Sequence, residues 1–284
     1  MKTQNRPKIS ALLITYNEIL HIREVLENLS FADEIIVVDS FSTDGTVEVI
    51  KEFKEVKLVQ RPFNGFADQM NYAMSLATCP WIIFPDADER LPELLVKEIL
   101  ETIQNPKALV VYYIKRDFYF NGKKLKYGGF QYDKLHKLFQ TNAVTFKRNQ
   151  IVHQKLNFRG KSGTLKHSLI HFAYKDFEHY KQKRTHYAQM RAEELYSKKV
   201  KPTLFHLYVK PIFKFFQHYL WRFGCLGGKD IFKLNLMNAR SIFDRYVFLK
   251  ELYKNARRNT EGDTDSPTRR NHSLPDRYHL GNRL

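Results

Sequence analysis

The sequence is poor in several things that would have classified it at once. Its 284 residues include only two cysteines, Cys79 and Cys225, far apart in the chain. No disulfide framework is implied, and the usage fits a reducing compartment. There is no run of about 18 uncharged apolar residues, so no helix is expected to span a membrane. Residues 1–10 are polar and basic without an apolar core, unlike a signal peptide. No Gly-X-Gly-X-X-Gly and no Walker loop follows any strand-like run, which argues against dinucleotide-binding and P-loop enzymes. No internal repeat is visible.

Acidic residues are scarce in one part of the chain only. Residues 1–100 hold 10 Lys/Arg and 16 Asp/Glu, whereas residues 101–284 hold 37 and 14. A basic back half seeks a polyanion: nucleic acid, anionic lipid or a phosphorylated glycolipid. The basic residues follow no RNA-recognition or zinc-finger pattern, which weakens the nucleic-acid alternative. Hydrophobic content of 43% is enough for a sizeable core.

Four short apolar runs alternate with helical spacing in the first 100 residues: Ile9 to Thr15, Glu34 to Asp39, Val56 to Gln60 and the run from Trp81. That pattern predicts an α/β fold with a parallel sheet covered on both faces. Asp44 is expected to cap the second helix, Gly65 to open the third, and Pro92 to sit in the first turn of the fourth. After residue 105 the texture changes. Asn121-Gly122 signals a hairpin, the segments Leu135–Gln140 and Val144–Arg148 read as a second one, and Leu165–Tyr174 reads as a strand. Asp176 caps a helix to about Lys199. In residues 203–221, His206, Lys210, Lys214 and His218 recur every four residues among aromatics. An amphipathic helix at a membrane interface and a core-packing helix both fit, with Pro211 kinking either one. A further helix, capped by Asp230, runs to about Tyr253, and residues 255–284 have the composition of a disordered tail.

The chain is organised around Trp81-Ile82-Ile83-Phe84-Pro85-Asp86-Ala87-Asp88-Glu89-Arg90. Ligands of open α/β sheets sit beyond the carboxyl ends of the strands. An Asp-X-Asp there sets two carboxylates about 7 Å apart along an extended chain. Hard oxygen donors with room for waters and phosphates suit Mg²⁺ or Mn²⁺.

Thr15-Tyr16-Asn17-Glu18, the Val37 to Thr46 turn, the helix start from Asn64 to Ala73, and Asp86-Ala87-Asp88-Glu89 together resemble glycosyltransferase family 2 in order and spacing. The nearest likeness is to the branch with the lipopolysaccharide inner-core β-glucosyltransferases. The resemblance covers roughly residues 8 to 180. It implies a GT-A fold over residues 1–180, with a nucleotide-sugar half (about 8–105) and an acceptor half (about 106–180); a helical extension (181–254) follows, which either associates with a membrane or packs on the domain.

It also implies an inverting transfer of a hexose, such as glucose, from a UDP-sugar to a cell-envelope glycolipid; the basic back half would then face phosphorylated lipid at the inner face of the cytoplasmic membrane. Carried over by position, Thr15, Asn17 and Glu18 border the nucleotide and Asp39 contacts its base or ribose. Arg61 lies near the same pocket, Asp86 near the donor sugar and ribose, and Asp88 holds the metal. Attack by a hydroxyl needs a proton acceptor. The branch usually has Val-His-Glu where this chain has Val152-His153-Gln154, and an amide cannot take the proton. Asp133 is then the first candidate base and His153 the second, and a catalytically silent relative is the alternative. His167 and His171, four apart in a strand, share a face and read as acceptor-side or structural residues.

Overall fold

The computed structural model describes residues 6–146 and 156–261. Within these limits the chain forms two compact units. Residues 6–124, 130–146 and 156–173 make the first, and residues 125–129 with 174–261 the second.

The first unit is built on one mixed sheet. Strands β1 (Ile9–Thr15), β2 (Glu34–Asp39), β3 (Val56–Gln60) and β4 (Trp81–Ile83) run parallel in the order β3-β2-β1-β4. Helices α1 (Ile22–Asn28), α2 (Thr46–Lys51) and α3 (Phe66–Ser75) connect them. Alternate residues of each strand point to opposite faces. Ala11, Leu13, Ile35 and Val37 therefore pack with α1, and with Leu95 and Ile99 of α4 (Glu93–Gln104). Leu12, Ile14, Ile36 and Val38 pack with Ala67 and Ala73 of α3. Burial on both faces is why β1, β2 and β4 read as unbroken apolar runs, whereas the edge strand β3 is only partly buried. Because they are parallel, all four end at the same edge.

Beyond β4 the sheet becomes mixed, with antiparallel and parallel pairs. After the two-residue β5 (Glu89–Arg90) come β6 (Val111–Phe120), β7 (Lys123–Lys124) and β8 (Lys134–Gln140). Next are β9 (Val144–Phe146), β10 (Leu156–Phe158) and β11 (Ser162–His171). The sheet continues β4-β8-β6-β11-β5. Asn121 (φ 48°) and Gly122 (φ 72°) make the predicted tight turn between β6 and β7.

The second predicted hairpin does not form. β8 inserts between β4 and β6, and β9 pairs instead with β10. A central strand satisfies both edges, which sequence adjacency alone cannot anticipate. Pro92 stands at the N-cap of α4 rather than inside its first turn.

In the second unit, α5 (Phe177–Ser197) is capped by Asp176, whose Oδ1 accepts from the His179 N–H at 2.7 Å. It packs parallel to α7 (Gly228–Glu261), with Arg184 bonded to Asn238 and Ser241 and Tyr196 against Tyr253. Residues 204–221 return antiparallel to α7 as α6 (Lys210–Phe216) flanked by two wide π-helical turns. The turn before Pro211 absorbs the missing N–H, so the segment stays helical. Helix α7 runs on through residues 255–261, which the sequence reading had assigned to the tail, and Asp230 lies in its first turn rather than at its cap. The rest of the predicted tail, 262–284, lies outside the described residues. No helix among the described residues is long and apolar enough to cross a membrane.

Candidate active site

The parallel edge gathers two polar clusters. The first surrounds Asp39, at the end of β2 and fully buried. Its Oδ1 accepts from Thr15 Oγ1 at 3.1 Å and from the Ser42 hydroxyl, and its Oδ2 accepts from the Ser42 N–H at 2.9 Å and Gln60 Nε2 at 3.0 Å. Thr15 and Gln60 end the two neighbouring strands in register with Asp39. The four lone-pair positions of the carboxylate are thus filled. A nucleotide contact at Asp39 requires Ser42 or Gln60 to yield.

Asn17 (φ 56°) turns the chain after β1. Its N–H reaches Ser42 Oγ at 2.8 Å, and its side-chain oxygen accepts from Thr43 N–H at 2.8 Å. The Glu18 N–H donates to Thr46 Oγ1 at 2.8 Å. Asp44 ties the two loops together, accepting from the N–H groups of Ile19 and Thr46 at 3.0 Å each. Partial burial works against its charge, but the bonds from Thr46 and Ile19 prevail and lower its pKa. Arg61 pairs with Asp68 at 2.6 Å and lies over the Tyr72 ring at 4.3 Å. Thr15, Asn17, Glu18, Asp39 and Arg61 therefore all belong to strand ends or the loops that follow them at one sheet edge.

The second cluster follows β4. Asp86, Glu89 and Asp133 supply three carboxylates, and Arg116 and Lys137 two cations. Lys137 Nζ lies 2.8 Å from Glu89 Oε2 and 3.2 Å from Asp86 Oδ2. Arg116 Nη1 lies 3.5 Å from Glu89 Oε1, and its Nε pairs closely with Asp133 Oδ2. Burial opposes the charge on Arg116, but Asp133, Glu89 and Asp86 hold the guanidinium protonated well above its ordinary range. Glu89 is wholly buried, whereas the Asp86 and Asp133 side chains are 26% and 34% exposed. Glu89 is thus an internal anchor, and the two aspartates face outward.

Lys137 reaches this cluster through a β-bulge. The pairing of β8 with β6 jumps from Leu138–Tyr112 to His136–Tyr113, leaving Lys137 as the extra residue.

Asp88 goes elsewhere. Its carboxylate Oδ2 lies 3.3 Å from Nε2 of His171, and both residues are buried. The Phe172 N–H donates to the Asp88 carbonyl at 2.9 Å, and β5 pairs Glu89 with His171. Two donors each about 2.1 Å from a shared octahedral ion stand about 3 Å apart, so this pair fits a divalent cation. His171 Nδ1 has no hydrogen-bond partner among the described residues. No group of three His, Cys, Asp or Glu side chains suited to a metal occurs among those residues, so waters or a ligand must complete any shell. An imidazole in the set favours Mn²⁺ over Mg²⁺.

His167, by contrast, faces away. Its ring Nδ1 lies 2.8 Å from Glu98 Oε2, and the two histidines have separate partners. His153 lies outside the described residues. The sequence reading missed Gln60, Arg116, Lys137 and the pairing of His171 with Asp88. The only advance sign was the placement of charged residues within strands.

A mixed sheet that begins with four parallel strands and carries its carboxylates at their ends is the GT-A architecture of a glycosyltransferase. The model of the family described as "Glycosyl transferase family 2" matches residues 10–180, and the chain belongs to that family. A glycosyltransferase of Rickettsia bellii is 30% identical over 86% of this chain and 87% of its own length. The lipopolysaccharide core biosynthesis glycosyltransferase LpsC of Rhizobium meliloti is 26% identical over 77% of this chain and 84% of its own. Among solved structures, S. aureus TarS 1-349 in complex with UDP-GlcNAc has 19% identity and a TM-score of 0.47, covering 88% of this chain and 92% of its own.

Proposed function

We propose that this glycosyltransferase moves a hexose, glucose as first choice, from a UDP-sugar to a lipopolysaccharide-core type glycolipid, inverting the anomeric carbon in a divalent-metal-dependent reaction. The observation that carries the reading is the buried Asp88–His171 pair at 3.3 Å, beside the outward-facing Asp86. The LpsC relative supports the acceptor class, and the resemblance supports the donor. A glycolipid acceptor agrees with a basic back half and with work at the inner face of the cytoplasmic membrane.

Asp88 and His171 hold the metal in this reading, and Asp86 meets the donor sugar and ribose. Thr15, Asn17, Glu18, Asp39 and Arg61 frame the nucleotide. The cation, when bound, stabilises the charge growing on the departing diphosphate. Asp133 is the general base. Arg116 anchors its Oδ2, leaving Oδ1 to take the acceptor hydroxyl's proton as the oxygen attacks the anomeric carbon. The diphosphate leaves from the opposite face, which gives inversion.

The test is transfer from UDP-, GDP- and ADP-sugars to core oligosaccharide, with and without Mn²⁺. Asp88→Asn and Asp133→Asn should each remove most of the rate while the fold stays intact. Full transfer by Asp88→Asn in the presence of a chelator would refute the metal role.

A further inference from the structure

Residues 204–221 half-bury their basic side chains and leave many of their large apolar ones exposed, with Leu207 and Pro211 buried. The ring of His206 stacks on Tyr246 at 4.7 Å, and Lys210 Nζ donates to Tyr246 Oη at 3.1 Å. Lys214 Nζ donates to Gln217 Oε1 at 2.8 Å, and His218 Nδ1 donates to the Gly128 carbonyl at 2.6 Å. All four members of the basic stripe are half-buried. Leu204, Phe205, Tyr208, Ile212, Phe213 and Trp221 are each more than half exposed, reaching 70% at Leu204 and 63% at Trp221. Leu226 and Leu236, further along, are also more than half exposed. A water-facing helix does the reverse, because burying polar groups costs free energy and exposing apolar ones forgoes it. Contiguous apolar surface of this kind marks a covered face.

The charges around it indicate what covers it. Residues 195–229 contain seven Lys/Arg and no Asp or Glu, and Lys199, Lys201 and Lys229 are exposed. A second copy docked symmetrically would bring two acid-free basic surfaces together, which like-charge repulsion opposes. An anionic bilayer supplies both apolar depth and phosphates. Aromatics with flanking lysines are the side chains that settle at the headgroup level. No helix among the described residues can cross the bilayer, so the segment would lie on it.

We propose that the exposed aromatic face of residues 204–226 is a docking surface for anionic phospholipid bilayers, set into the interfacial layer. The proposal deepens the reading of a membrane-borne acceptor and rests on it for its purpose, although the physical argument is independent of the sugar donor.

The experiment is sedimentation of the full chain with vesicles of phosphatidylethanolamine and phosphatidylglycerol, against vesicles of phosphatidylcholine alone. The protein should pellet with the anionic vesicles and be released by salt. The double variant Phe213→Ser/Trp221→Ser should partition about tenfold more weakly, and Lys201→Glu/Lys229→Glu should do likewise on anionic vesicles. Thermal unfolding and UDP-induced stabilisation, both unchanged in the variants, show that fold and donor site survive. They also separate failure of this proposal from failure of the transferase reading. Wild type that remains in the supernatant with both vesicle types would overturn the proposal. So would variants that pellet like wild type, or a lipid-free dimer by ultracentrifugation that the serine variant abolishes.

Discussion

His171 Nε2 stands 3.3 Å from Asp88 Oδ2, although 82 positions of chain lie between the two residues. The contact exists because β5 pairs antiparallel with the end of β11, setting Glu89 opposite His171. If the pair holds the metal, His171→Ala should lower turnover about a hundredfold, as when a transition-state electrostatic partner is lost. It should also raise the Mn²⁺ concentration needed for half-maximal rate. Transfer measured across a Mn²⁺ titration distinguishes this from a structural role, which would leave the metal requirement unmoved.

Lys137 Nζ contacts two carboxylates, Glu89 at 2.8 Å and Asp86 at 3.2 Å, and its side chain is 5% exposed. Lys137→Met would leave Glu89 buried beside Asp86 with Arg116 as the remaining nearby cation. Removing one partner from a buried ion pair costs about 3–5 kcal/mol. Urea unfolding should show a loss of that order, and a midpoint equal to wild type would show the bulge to be dispensable.

Asp39→Asn replaces an acceptor with an amide that must present its NH₂ to donors on one side. With its oxygen kept toward Ser42 N–H and Gln60 Nε2, its NH₂ faces the Thr15 and Ser42 hydroxyls, which lose their acceptor. The expected cost is about 1–3 kcal/mol for a buried unsatisfied group, together with weaker stabilisation by UDP. Thermal unfolding with and without UDP reads both effects.

His218 supplies a pH signature for the second unit. Burial lowers its pKa to about 4, against the Gly128 hydrogen bond that would raise it and with Lys214, Arg222 and Arg184 lowering it further. The unfolded chain takes up a proton near the ordinary pKa of about 6.5, whereas the folded chain does so only near the depressed value. The stability contributed by neutral His218 is therefore complete above pH 6.5 and lost as the pH falls towards 4. His218→Gln should flatten the stability profile across that window in urea titrations. An unchanged slope would mean that other groups set it.

Much of the fold was legible beforehand because the parallel half is written in local patterns. Apolar runs of strand length, an N-capping Asp176 and the Asn121-Gly122 turn each depend on a few adjacent residues. The site was half legible. Thr15 and Asp39 end parallel strands, Arg61 follows β3 and Asp86 lies three residues beyond β4, so parallel pairing alone brings them to one edge. Strand periodicity gives the face of His171 but not its neighbour, so the sequence leaves it as an acceptor-side or structural residue. Lys137 escaped notice because a bulge breaks period two, and bulges leave no consistent sequence mark.

By itself the sequence determined the four parallel strands and that their carboxyl ends meet, since apolar runs and turn chemistry act between near neighbours. Only the tertiary structure decided that β8 lies between β4 and β6, that His171 meets Asp88, and that residues 204–221 half-bury their lysines while exposing many of their large apolar side chains. Those outcomes depend on which distant surfaces fill one another. A helix with apolar groups on most of its faces carries no local instruction about which face to hide.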